Sequence, residues 1–119
     1  MSKTSRARQR PIQLDGLKLR VMAEYASSGI WVIEKIGPFR HGMIGYSSLR
    51  LPQDLALRFE QWIELYWGML ENNFDVNEFN QIGRRLAQDL KAHIGSEYVE
   101  FIPELATGGL GETEIIDRL

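Results

Sequence analysis

The sequence predicts an α+β domain in which a mainly antiparallel sheet of three or four strands carries a two-helix hairpin on one face. Three observations predict this class. Segments near the N-terminus alternate apolar and polar residues, two central segments repeat apolar residues at helical spacing, and a last apolar segment stops at Pro103. Alternation is typical of half-buried strands, and a 3.6-residue repeat is typical of amphipathic helices. The predicted order is therefore β-β-(β)-α-α-β.

The first two strands are predicted to form a hairpin. Apolar residues alternate with polar ones over residues 17–25, and residues 30–36 are rich in β-branched and aromatic side chains, which favour strands. The connecting residues 26–29 are few enough for an antiparallel hairpin. A third, short strand is expected over residues 43–46, after a break made by a Gly-Pro pair.

The first helix is predicted to begin at Pro52, because the first turn of a helix does not need the N–H that proline lacks. Its apolar residues follow helical spacing: Leu55, Phe59, Trp62, Ile63, Tyr66, Met69 and Leu70. Trp62 and Tyr66 lie on this stripe, which predicts that both belong to the core. Trp67 projects roughly 100° away from the stripe and is expected to lie outside it.

The second helix carries its own start and stop signals. Asp75 can cap the N-terminus, and Glu78 lies three residues further on, as in a capping box. Phe74 and Phe79 occupy the two positions of a hydrophobic staple. Gly95 follows the last turn, where a left-handed residue is favoured. These signals predict a helix that begins just after Asp75 and ends before Gly95.

A glycine on the apolar stripe of the second helix predicts a close contact. Gly83 lies among the apolar residues of that stripe, where glycine costs about 1 kcal/mol relative to alanine. Close approach of another element to the helix backbone would explain why glycine is present at this position. We expect the two helices to be antiparallel, joined at Asn72 and Asn73, and packed on the sheet.

Charge divides the chain into three predicted regions. Residues 1–14 form a basic arm that is expected to be flexible, residues 15–103 form the domain, and residues 104–119 form a flexible acidic tail. The arm contains Lys3, Arg6, Arg8 and Arg10, and the tail contains Glu104, Glu112, Glu114 and Asp117. Such an arm either binds phosphate or an acidic partner, or is simply solvated.

Composition argues against several kinds of chemistry. The chain has no cysteine, which excludes disulfides and thiolate metal sites. Its two histidines, His41 and His93, match no metal-ligand spacing, and neither a phosphate-binding loop nor a nucleophile motif is present. We expect no metal, no cofactor and no catalytic residue. No apolar run approaches the roughly 18 residues of a membrane span, so a cytoplasmic location is expected.

A few aromatic and basic residues are candidates for binding a partner. Trp31 alternates with Val32, so either Trp31 or Val32 must face away from the helices. Trp67 lies off the core stripe, and exposed aromatic residues are enriched in interfaces. Basic side chains complete the set of candidate residues: Arg40 and His41 in the loop after the second strand, and Arg84 and Arg85 on the second helix.

Two other functions remain open from the residues. A small enzyme or ligand-binding domain would have its site in residues 39–46, where Arg40 could bind a carboxylate or phosphate in bidentate fashion, beside His41 and Glu34. A nucleic-acid accessory factor would use the basic arm. The pI of about 5.7 and the acids on both helices make nucleic acid an unfavoured partner.

The helical segments LRLPQDLALRFEQWIELY and IGRRLAQDLKAHIGSEYVEFIPE resemble a group of small bacterial α+β proteins that have no settled activity. The resemblance covers residues 17–103 and rests on structural rather than catalytic motifs. In size and architecture the chain also looks like the immunity proteins that neutralise bacterial contact-dependent toxins. That likeness implies a protein partner and does not by itself establish function.

The sequence therefore favours a non-enzymatic protein-binding module and, within that class, an immunity or antitoxin-like protein that binds a toxin directly. The missing catalytic set and the aromatic residues outside the core support this interpretation. The sequence does not specify the oligomeric state.

Overall fold

A computed structural model describes residues 17–34, 42–70, 74–95 and 98–116. Its elements follow in chain order: β1 Lys18–Val21, β2 Ile30–Glu34, β3 Gly42–Met43, a 3-10 helix Ser47–Leu49, α1 Gln53–Tyr66, a 3-10 helix Trp67–Leu70, α2 Val76–Ile94, β4 Tyr98–Phe101 and β5 Glu114–Ile115. This arrangement confirms the predicted α+β class.

The sheet is mixed and has the strand order β3-β2-β1-β4-β5 in the described part of the chain. β1 is antiparallel to β2, as the hairpin prediction required, but it is parallel to β4. Three of the four strand pairings are antiparallel, so the sheet is mainly antiparallel as expected, and the expected count of three or four strands is corrected to five. Alternation in a sequence specifies which side chains are buried, and it contains no information on the direction of the neighbouring strand.

The fifth strand lies in a segment that was expected to be a flexible tail. β5 pairs antiparallel with β4, with Glu100 opposite Ile115 and Phe101 opposite Glu114. A further bridge joins Glu104 to Leu110, so the chain folds back on the sheet over residues 104–116. The sequence analysis missed β5 because a strand of two residues is too short to show an alternation.

The core fills the layer between the helices and one face of the sheet. Strand residues that point to this layer alternate along the chain and are buried: Leu19, Val21, Ile30, Val32, Val99 and Phe101. Trp62 is 1% exposed and Tyr66 is 9% exposed, which confirms that both belong to the core. The Trp62 ring stacks on Phe79 at a centroid distance of 4.9 Å, and its indole N–H donates to the Phe79 carbonyl at 3.0 Å.

The ends of α2 form as the sequence predicts. The Asp75 side chain accepts a hydrogen bond from the Glu78 N–H at 3.1 Å, and the rings of Phe74 and Phe79 lie 5.1 Å apart. Gly95 follows the last turn with φ of +68°, a left-handed value that glycine adopts without steric cost. The helix is thus specified at both ends by local interactions.

Gly83 is the point of closest approach between α2 and the layer below it. A Cβ atom built at this position would lie 2.5 Å from Cε1 of Phe101 and 2.7 Å from Cζ2 of Trp62. Both neighbours are rings that are almost fully buried, so neither can move without disturbing the core. The close approach that the sequence predicted is confirmed.

Replacing Gly83 with alanine is expected to destabilise the fold. Overpacking a core costs about 1–3 kcal/mol, which exceeds the gain of about 1 kcal/mol in helix propensity. Urea unfolding should show a lower midpoint for Gly83→Ala. Gly45→Ala is the control, because nothing lies within 4 Å of a Cβ at that position. Equal midpoints for Gly83→Ala and wild type would contradict the packing described above.

Candidate functional site

The sheet face away from the helices carries one row of side chains that crosses all five strands. Cross-strand pairing places these residues side by side: Met43, Trp31, Arg20, Glu100 and Ile115. We call this set the far-face row. Met43 and Ile115, at its two ends, are each 54% exposed. Trp31 is half-buried, and its indole N–H donates to the Met22 carbonyl at 2.9 Å. Of the two alternatives left open by the sequence, Trp31 is the one that faces away from the helices.

The charges at the centre of the far-face row neutralise one another. Glu100 is 4% exposed, and its carboxylate accepts hydrogen bonds from the Arg20 guanidinium and the Tyr98 hydroxyl. The Tyr98 ring in turn lies 5.4 Å from the Lys18 ammonium. The hydrogen bond to Glu100 raises the pKa of Tyr98. This part-buried network stabilises the sheet, and the paired charges of Arg20 and Glu100 offer a partner little net charge.

The outer side of α1 carries a second set of exposed apolar residues. Leu57, Leu65 and Trp67 are 50%, 49% and 49% exposed, and we call these three residues the α1 ridge. Leu57 projects from the side of α1 opposite the buried Phe59 and Tyr66, and Leu65 and Trp67 project about 100° to either side of Tyr66. Carboxylates surround the ridge on the same exposed surface: Asp54, Glu60 and Glu64. The sequence analysis singled out Trp67 and missed the two leucines, although their eight-residue spacing on the polar side of an amphipathic helix was visible.

A groove of about 450 Å³ lies beside the α1 ridge. It is lined by residues of α1 and α2: Arg58, Gln61, Trp62, Glu64, Leu65 and Ile82. The Arg58 guanidinium donates to Asp89 on α2 at 2.8 Å, so its charge is already paired. The groove thus combines an apolar lining with the carboxylate of Glu64.

Trp67 is held in place by aromatic neighbours even though half of its surface is exposed. The ring of Tyr25 lies 4.5 Å from Trp67 and 4.5 Å from Tyr66. Aromatic pairs at this separation contribute about 0.5–1.5 kcal/mol beyond burial. The exposed indole is therefore a rigid feature, and little conformational entropy would be lost if a partner bound it.

A buried carboxyl group lies behind this aromatic cluster. Glu104 is 4% exposed, and its backbone N–H and carbonyl are both hydrogen-bonded to the side chain of Asn80, at 3.0 and 2.9 Å. Its Oε2 atom has no hydrogen-bond partner among the described residues. Burial raises the pKa of Glu104, the nearby charge of Glu24 adds to the effect, and a hydrogen bond from Tyr66 opposes it. Burial and the same carboxylates raise the pKa of Tyr66 to about 12.

The two arginines proposed on α2 have different surroundings. Arg84 makes a bidentate ion pair with Glu114 of β5, with N–O distances of 2.7 and 2.9 Å, and it lies 5.6 Å above the Phe101 ring. This ion pair lowers the pKa of Glu114. Arg84, a candidate for binding a partner, therefore attaches β5 to α2. Arg85 is exposed and keeps its place as a candidate.

The loop candidates Arg40 and His41 lie outside the described residues. The end of that loop is described, and it is anchored to the hairpin. The Tyr46 hydroxyl donates to the Ser28 carbonyl at 2.8 Å, and the Ser28 hydroxyl donates to the Ile44 carbonyl at 2.7 Å. Burial, followed by the charge of Glu60, raises the pKa of Tyr46 to about 12. Tyr46 therefore acts as a structural anchor at the end of the loop.

The described residues contain neither a metal-binding cluster nor a membrane-spanning helix. In that part of the chain, no group of three or more His, Cys, Asp or Glu side chains could hold a metal ion. The same residues contain no helix whose length and apolar character would let it cross a membrane.

The fold and these surfaces define a small α+β protein with a five-stranded mixed sheet, two helices on one face and exposed apolar residues on both sides. Residues 17–104 match the model of the Serratia CdiI immunity protein-like family. The match covers most of the chain, from the residue before β1 to just beyond β4, and the chain belongs to this family. A comparison with curated proteins found no match.

The buried carboxyl of Glu104 predicts a specific pH dependence of stability. The raised pKa means that the folded protein keeps a proton on Glu104 at pH values where the unfolded chain has released it. Protonated Glu104 therefore adds to the free energy of unfolding. The addition is complete below pH 4.5, the ordinary pKa of a glutamate, and is lost as pH rises through the raised pKa. Glu114, whose pKa is lowered, has the opposite effect below pH 4.5, where its contribution to the free energy of unfolding is lost as pH falls. Urea unfolding of Glu104→Gln across this range should lack the fall that wild type shows above 4.5.

The exposed carboxylate of Glu112 provides the control for this prediction. Glu112→Gln removes one negative charge from the same part of the chain and should keep the wild-type fall in stability above pH 4.5. If Glu104→Gln keeps that fall as well, the carboxyl of Glu104 is not the group responsible.

Proposed function

We propose that this protein is an immunity protein that neutralises a toxin by binding it directly, without an enzymatic step, in the cytoplasm of the cell that makes it. The observation that carries the proposal is the family match over residues 17–104. The exposed apolar side chains of the described surface support it, since aromatic and large aliphatic groups supply most of the binding energy in interfaces.

Direct binding leads to a stoichiometric mechanism. An immunity protein that covers a toxin must be present in at least equal amount, and it must hold the toxin longer than the toxin needs to act. The rigid sheet and helices suit this role, because a preorganised surface loses little entropy on binding. Binding would then exclude the toxin's substrate sterically, with no chemistry required from this chain.

A titration tests both the partner and the mechanism. A toxin domain encoded by a gene adjacent to the gene of this chain would be mixed with increasing amounts of this protein, and residual toxin activity and complex formation would be measured. We expect protection to saturate at one equivalent and a one-to-one complex to elute from size exclusion. A toxin domain from an unlinked locus, titrated in parallel, is the control and should stay active.

Two outcomes would contradict the proposal in different ways. Full protection at a small fraction of one equivalent would indicate that this chain acts catalytically on the toxin or its product. If neither a complex nor protection forms at any ratio, the neighbouring toxin is not the partner and direct neutralisation is wrong.

A further inference from the structure

We infer that the toxin binds the α1 ridge and presents to it a basic surface with apolar contacts. This inference rests on the proposed function and names the surface and the chemistry of the partner. The ridge residues Leu57, Leu65 and Trp67 extend along α1 and the 3-10 turn after it. Leu57 and Trp67 are ten residues apart, which at 1.5 Å per residue is roughly 15 Å along the helix axis, a length that fits within one side of an ordinary interface.

The charges around the ridge define the chemistry of the partner. The ion pairs within the described residues use Glu100, Asp89 and Glu114, and none of them uses the carboxylates of Asp54, Glu60 or Glu64. The nearest base on the same helix, Arg58, is taken up by Asp89. In the described part of the chain, these carboxylates on the outer side of α1 therefore have no ion-pair partner, and their negative charge attracts a cationic surface and repels a polyanion such as nucleic acid.

The groove beside the ridge suits a long cationic side chain of the partner. Leu65 and Ile82 offer apolar surface to the methylene stem, while the carboxylate of Glu64 lies on the same lining. Lysine and arginine bury their stems against apolar surface while their charged ends meet a polar group. A basic residue of the toxin placed here would gain both contacts at once.

The far-face row is a weaker candidate for the same partner. Its exposed ends, Met43 and Ile115, are separated by Trp31 and by the mutually neutralised pair Arg20–Glu100. A partner there would meet two isolated apolar groups and no net charge of the row itself. The α1 ridge, in contrast, combines apolar surface and carboxylates that make no described ion pair with a groove between α1 and α2.

Charge reversal on the ridge tests the electrostatic part of the inference. The double variant Glu60→Lys, Glu64→Lys should bind the toxin domain at least about 10-fold more weakly at low salt, mainly through a slower association rate. The difference from wild type should shrink as salt rises, because exposed charges are screened. Glu112→Lys, an exposed reversal two residues before β5, is the control and should change the affinity by less than about threefold.

Truncation of the leucines tests the apolar part. Leu65→Ala and Leu57→Ala should each weaken binding by about 5- to 30-fold, mainly through faster dissociation. Ile115→Ala removes an equally exposed side chain from the far-face row and should leave the affinity unchanged. Urea unfolding of each variant would show whether the fold is retained. If one of the two leucine variants is unstable, the other provides the test.

The outcomes separate this inference from the proposed function. If all ridge variants bind the toxin with wild-type affinity while Trp31→Ala or Ile115→Ala binds it more weakly, the α1 ridge is not the binding surface. Direct neutralisation would remain intact in that case. If the ridge substitutions dissociate a homodimer and leave toxin affinity unchanged, a second copy of this chain occupies the ridge. That result would also overturn the inference. If wild type does not bind the toxin domain, the proposed function fails and this inference fails with it.

Discussion

The contact between Gly83 and the rings of Phe101 and Trp62 is the constraint on which the rest of the fold depends. It lets α2 lie directly on β4, because no side chain separates the helix backbone from the sheet. Because α2 lies this close to the sheet, Arg84 reaches Glu114 and attaches β5 to the edge of the sheet. One small residue on a helix stripe thus determines both the depth of the core and the placement of the last strand.

Most of the charged groups near the sheet serve this architecture. Glu100 is held by Arg20 and Tyr98 on one face, and Glu114 is held by Arg84 on the other. A buried carboxylate without such partners would cost several kcal/mol. Glu104 is the exception, since its Oε2 has no partner in the described residues and its pKa rises as a result of burial. The protein tolerates this group where Asn80 already fixes the backbone.

The sequence predicted the parts of the fold that depend on local chemistry. The caps of α2, the staple of Phe74 with Phe79 and the close approach at Gly83 follow from residue types and spacing, and all were confirmed. The parallel pairing of β1 with β4 and the short strand β5 were missed, because they depend on contacts between distant segments. The candidate site shows the same division. Periodicity placed Trp67 off the core stripe and limited Trp31 to two alternatives, whereas the pairing of Arg84 with Glu114 could not be foreseen.

The contrast between the two sides of the molecule explains why the α1 ridge is the better candidate for binding. A residue kept only for stability is expected to be buried or paired, as the residues around Glu100 and Glu114 are. Leu57 and Leu65 contribute little to the core at 50% and 49% exposure, and the neighbouring acids stabilise no described ion pair. Single exposed leucines are ordinary on a protein surface. An apolar ridge with charge of one sign around it and a groove beside it is what a surface needs in order to select a basic partner.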